Sequence, residues 1–87
     1  MSQKEKMLRR ILSIPSDYTY DELARFLSQF GFQEVTGGKT GGSRRRFLRD
    51  SDSAIIFLHK PHPENIVNKS TIRDVIAKLR ELGDIDE

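Results

Sequence analysis

The chain has 87 residues, 15 basic and 13 acidic side chains, and a formal net charge of +2; a chain this short supports one modest core and no deep cavity, so its chemistry belongs on a shallow surface that suits a polymer better than a small metabolite. It has no cysteine, which excludes disulfides, thiolate metal sites and thiol nucleophiles, and its longest apolar run, Ala54 to Leu58, is far too short to cross a bilayer. The charged start from Met1 to Lys6 leads into no uninterrupted apolar stretch, so neither a signal peptide nor a membrane association is expected, and the expected location is cytoplasmic.

Ser2 with Glu5 three residues on has the form of a capping box, and Met7, Leu8, Ile11 and Leu12 make the apolar stripe of a short helix that Pro15 stops. Thr19 with Glu22 opens a second helix whose Leu23, Phe26, Leu27 and Phe30 share one face, with Gly31 as its natural end. These apolar residues are core positions. Phe32 to Thr36 alternates apolar with polar and predicts a strand. The glycine-rich stretch Gly37 to Gly42 connects it to a second strand, Arg44 to Arg49. Asp50 to Ser53 is turn material, and Ala54 to His59 makes a third strand whose unbroken apolar character suggests a central or well-covered place. Pro61 and Pro63 bar further pairing. A last helix starts near Asn68 to Ser70, carries Ile72, Val75, Ile76, Leu79 and Leu82 on one face, and ends at Gly83.

With no repeat and no low-complexity linker, 1–87 reads as one domain, an N-terminal helix extension at 1–14 followed by a core at 19–83. The element order α-α-β-β-β-α predicts an α+β fold, a three-stranded antiparallel sheet with helices on one face and the other face open.

The charge is unevenly spread. Lys39, Arg44, Arg45, Arg46 and Arg49 follow one another with no acid between them, while acids gather elsewhere, notably at Asp84, Asp86 and Glu87. Such a local basic patch on a nearly neutral protein suits a phosphate backbone. If Phe47 faces the core, Arg44 and Arg46 point to the open face, and Arg45 and Arg49 turn toward the helices, where only the strand's ends can tolerate them. Two guanidiniums side by side on an open face can grip neighbouring phosphates. Gly41-Gly42-Ser43 could offer backbone amides to a phosphate, but it lacks P-loop spacing and leads into a strand. In His59-Lys60-Pro61-His62-Pro63, two imidazoles and an ammonium sit in a turn stiffened by prolines. Histidine can exchange protons near neutral pH, so this turn is a candidate for RNA binding or cleavage; a plain surface turn is the alternative. Asp50, Asp52 and Glu64 show no ligand spacing, so no metal site is expected.

The segment Gly42-Ser43-Arg44-Arg45-Arg46-Phe47 resembles the motif of the HicA toxin family, in which Gly-Ser is followed by one or two histidines, a basic residue and an aromatic. Lys60 to Pro63, with Ser70-Thr71-Ile72-Arg73 beyond a polar connection, is similar to that family's proline–histidine turn and closing helix, and the stretch from Asp21 to Phe32 with its Gly-Phe ending also fits. The resemblance spans Thr19 to Gly83. It implies a double-stranded-RNA-binding-like fold, mRNA cleavage that inhibits translation, and neutralisation by a HicB-type antitoxin. One departure matters: the family's catalytic histidine falls at Arg44, and arginine stays protonated and cannot act as a general base. It can still hold a phosphate or stabilise transition-state charge.

The expectation is therefore an mRNA-binding face made by Lys39, Ser43, Arg44, Arg46, Lys60 and His62. Cleavage there would be metal-independent and without a cofactor, with His62, which matches the family's turn histidine, as base or acid and Arg44 as charge stabiliser. His59 ranks second and nothing in the family pattern supports it. The alternative is a non-catalytic module that binds RNA or an antitoxin, which Arg44 in the histidine position favours.

Overall fold

A computed structural model describes residues 2–35, 44–61 and 64–85. Its elements are α1 (Gln3–Leu12), α2 (Tyr20–Ser28), β1 (Phe32–Val35), β2 (Arg44–Arg49), β3 (Ala54–His59) and α3 (Lys69–Glu81). The expected α+β order α-α-β-β-β-α is the observed one.

Side chains that satisfy the first free amides set each helix start. The Ser2 hydroxyl accepts from the Glu5 amide at 3.2 Å, and Asn68 Oδ1 accepts from the Thr71 amide at 2.7 Å. The Thr19 hydroxyl accepts from the Glu22 amide while the Glu22 carboxylate accepts from the Thr19 amide, both at 3.1 Å. Gly31 follows α2 at φ +89, a left-handed conformation that glycine adopts without strain, and a Cβ there would also come within 3.2 Å of Arg49 Cδ. At this one position the backbone turn and the close approach both call for glycine.

The strands form one antiparallel sheet in the order β1-β2-β3. β2 is therefore the central strand and β3 an edge, which corrects the expectation of a central or well-covered β3. An apolar run can be buried on both faces or on one, and here only alternate residues are covered: Ile56 and Leu58 are buried while Ile55 and Phe57 are exposed. In a sheet covered by helices on one side, half of any strand must face away.

The core lies between the sheet and the helices. Phe32, Phe47, Ile56 and Leu58 meet Leu23, Phe26 and Leu27 of α2 and Ile72, Val75 and Leu79 of α3, all buried. α1 joins this layer through the fully buried Ile11 and through Arg10, whose Nε lies 2.6 Å from Glu22 Oε2 and whose NH2 lies 3.2 Å from Asp17 Oδ1. Hydrogen bonds from Arg10 hold the Glu22 carboxyl below its ordinary range. Between β3 and α3 the chain is tied to the start of α2: Val67 N donates to Tyr18 O at 2.8 Å and Tyr20 N donates to Asn65 O at 3.0 Å. These bonds flank an isolated antiparallel bridge between Thr19 and Ile66, just before α3 begins.

Candidate nucleic-acid interface

Alternation along β2 sends its arginines to two different environments. Phe47 is buried against the helices, so Arg45 and Arg49 share its side, and Arg44, Arg46 and Leu48 face the other way. On the helix side both arginines are held. Arg45 Nε lies 3.3 Å from Glu34 Oε2, and the Tyr20 hydroxyl donates to Glu34 Oε1 at 2.8 Å. Burial, reinforced by the bond to Glu34, pushes the Tyr20 phenol well above its ordinary range. Arg49 is buried: it forms a two-pronged pair with Asp52 (2.9 and 2.7 Å), donates to Phe30 O at 3.2 Å and reaches Asp84 Oδ1 at 2.8 Å. Its guanidinium also lies 4.7 Å from the centre of the Phe32 ring. These bonds raise the Arg49 pKa further and hold the Asp52 carboxyl down at about 2.

The open side is different. Arg44 and Arg46 are exposed, and neither side chain has an acidic partner among the described residues. Their spacing along the strand, about 6.8 Å for two extended residues, is comparable with the step between neighbouring phosphates of an extended nucleic-acid chain. The register places His59 directly opposite Arg44, Phe57 opposite Arg46 and Ile55 opposite Leu48, while Val35 of β1 flanks Arg46 on its other side. Directly opposed residues share a face, with Cβ atoms about 5 Å apart. The open face thus combines two cations, one imidazole and an apolar floor in which Phe57 is 63% exposed.

Of the residues expected in an RNA site, Arg44 and Arg46 come together here. Lys60 does not join them: its ammonium lies 5.5 Å from the centre of the Tyr20 ring, toward the helix layer. Lys39, Ser43 and His62 lie outside the described residues. Two members of the face go beyond that expectation. His59 has no motif support, yet it stands across from Arg44. Phe57 belongs to the run expected to be covered, although an open sheet face already requires either the Ile55–Phe57 pair or the Ile56–Leu58 pair to be exposed.

Chemically, the two guanidiniums can hold phosphate oxygens, the imidazole can move a proton, and the phenyl ring offers a flat surface to a base. Among the described residues there is no group of three or more histidines and carboxylates able to hold a metal ion.

Residues 20–83 match the family model described as the HicA toxin of bacterial toxin-antitoxin. No curated protein and no solved structure gives a significant match. The matched region runs from the first residue of α2 to the glycine after α3, so α1 lies outside it.

Proposed function

Because the chain belongs to the HicA toxin family of bacterial toxin-antitoxin, we propose that it acts as a toxin that binds mRNA on its open sheet face, cleaves it to stop translation, and is neutralised by a HicB-type antitoxin. The observation that carries this reading is the pair Arg44 and Arg46: both are exposed and without an acidic partner among the described residues, on a strand whose other arginines are engaged. An uncovered sheet with unpaired guanidiniums is an electrostatic site for a polyanion.

The cleavage is metal-independent attack by a ribose 2′-hydroxyl on the adjacent phosphate. A base removes the hydroxyl proton, a new O–P bond forms, and the 5′-oxygen leaves with a proton from an acid. Cations stabilise the charge that builds on the phosphorus oxygens. Arg44 supplies that stabilisation, and His62 is the base or acid, with His59 opposite Arg44 as the second imidazole. Lys39, Ser43 and Lys60 would contribute at the rim, Lys60 only if it swings away from Tyr20.

A strand with one deoxyribose at the scissile position should resist cleavage, because the nucleophile is gone. Cleavage should survive chelation of metals. His62→Ala should lower the rate by about 10²–10⁴-fold with binding little changed. Cleavage that persists without both His59 and His62 would remove the imidazoles from the mechanism. Wild type that binds RNA but never cuts it would favour the second reading, a non-catalytic module that binds RNA or antitoxin; arginine at position 44, where the family has histidine, supports that reading. Arg44→His would then be the informative change, since a gain of activity would mean that only a proton-transfer group was missing.

A further inference from the structure

The mRNA reading leaves open whether the open face takes a duplex or an unpaired strand. Phe57 is the most exposed large apolar side chain among the described residues. It is not isolated: Ile55 is 38% exposed beside it, and the half-buried Leu48 and Val35 complete an apolar strip across the sheet. Arg46 is set into this strip directly between Val35 and Phe57, and Arg44 and His59 form the next row. The ring therefore stands within one residue row of each cation. A polar groove of stacked base pairs would gain nothing from a phenyl ring, because a duplex shows proteins its phosphates and 2′-hydroxyls while its base faces are hidden. An unpaired strand has the complementary chemistry, with flat apolar bases and phosphates alternating at short range.

We propose that this face recognises single-stranded RNA, with one unpaired base stacked on Phe57 and the phosphates on either side of it held by Arg46 and Arg44. The inference rests on the RNA reading above. Ile55 and Leu48 extend the floor under the stacked base. The guanidiniums on the same face favour a polyanion as occupant over the apolar surface of a protein, which would have to bury both charges. Stacking on a ring tolerates any base, so this contact supplies affinity for unpaired RNA and no sequence preference.

The chain has no tryptophan, so Phe57→Trp installs a single fluorescent reporter at the proposed platform. The probes are a short oligoribonucleotide, 2′-O-methylated so that it cannot be cut, and the same strand annealed to its complement. The single strand should quench the indole emission of the Phe57→Trp variant and bind at least about tenfold more tightly than the duplex at equal salt. Phe57→Leu should weaken single-strand binding by about tenfold while keeping its salt dependence, since the phosphate contacts remain. Phe57→Tyr should restore it. Equal binding of duplex and single strand, or an affinity indifferent to Phe57→Leu, would overturn the stacking proposal while leaving RNA binding in place. Failure of the wild type to bind either probe at low salt would overturn the RNA reading itself, and this proposal with it. Loss of binding to the antitoxin by Phe57→Leu, with RNA affinity unchanged, would assign the ring to a protein interface instead and equally overturn the proposal.

Discussion

Arg45 and Arg49 lie an odd number of residues from Arg44 and Arg46 along the same strand, and so they meet opposite surroundings. The first pair points to the helices, where Glu34, Asp52 and Asp84 hold both guanidiniums. The second pair points to solvent, with no acid beside it among the described residues. A buried cation has to be paired, because desolvation would otherwise push it out. An exposed one needs no partner, and on an uncovered sheet it stays available for an anion. The comparison separates arginines that are bound into the fold from arginines left exposed to solvent, a distinction that composition cannot make.

The largest effect on the first pair is expected at Arg49. Arg49→Met keeps much of the side-chain bulk but leaves the Asp84 carboxylate without its cation and Phe30 O without a donor. It should cost about 3 kcal/mol, the low end for breaking a buried ion pair because Asp52 is half exposed. Denaturant unfolding measures this, and RNA affinity well below the midpoint should be unaffected. A loss of RNA binding without a loss of stability would erase the division between the two pairs.

Acid tests the same cluster. Asp52 is held at about 2 against an ordinary 3.8, and Glu22 is also lowered. A carboxyl whose pKa falls on folding stabilises the native state above its unfolded value and loses that contribution as pH drops through the folded value. Stability should therefore be flat at neutral pH and decline between about pH 4 and pH 2. The decline should be shallower in Arg49→Met, which removes the cause of the Asp52 shift. Parallel acid limbs in the two proteins, followed by thermal melting, would contradict the assignment.

Arg45 should show the smallest effect of this group. Its pair with Glu34 is partly exposed, and pairs of that kind contribute about 1 kcal/mol or less. Arg45→Ala should lower the melting temperature slightly and leave RNA affinity within about twofold, as expected for a side chain on the covered face.

How far the sequence reveals this molecule depends on the range of the interaction concerned. Helix starts are local, and Thr19 with Glu22 states one in four residues. The phase of β2 is legible because Phe47 is its one aromatic residue, larger than Leu48 beside it and set among arginines. The place of β3 is not, because Ala54 to Leu58 is apolar on both alternations and strand order is set by distant packing. The juxtaposition of His59 with Arg44 depends on register. The turn helps to set that register: Asp52 accepts from the Ala54 amide at 3.2 Å while gripping Arg49, and Ser53 takes a left-handed φ of 58. Asp84 sits in sequence with the acidic tail, although it closes the Arg49 cluster from the far end of α3. Lys60 is expected by motif to join Arg44 and Arg46, yet its ammonium lies by the ring of Tyr20, distant in sequence and on the other side.

The central claim is that Arg44 and Arg46 meet the RNA backbone. Its most direct test is the salt dependence of single-stranded RNA binding for wild type and for the double variant Arg44→Ala, Arg46→Ala. Each lost phosphate contact on a single strand should reduce the slope of log K against log salt by about 0.7, so the double variant should fall by about 1.4 at an unchanged melting temperature. An unchanged slope in that variant, or an equal fall in Arg45→Ala, would contradict the account.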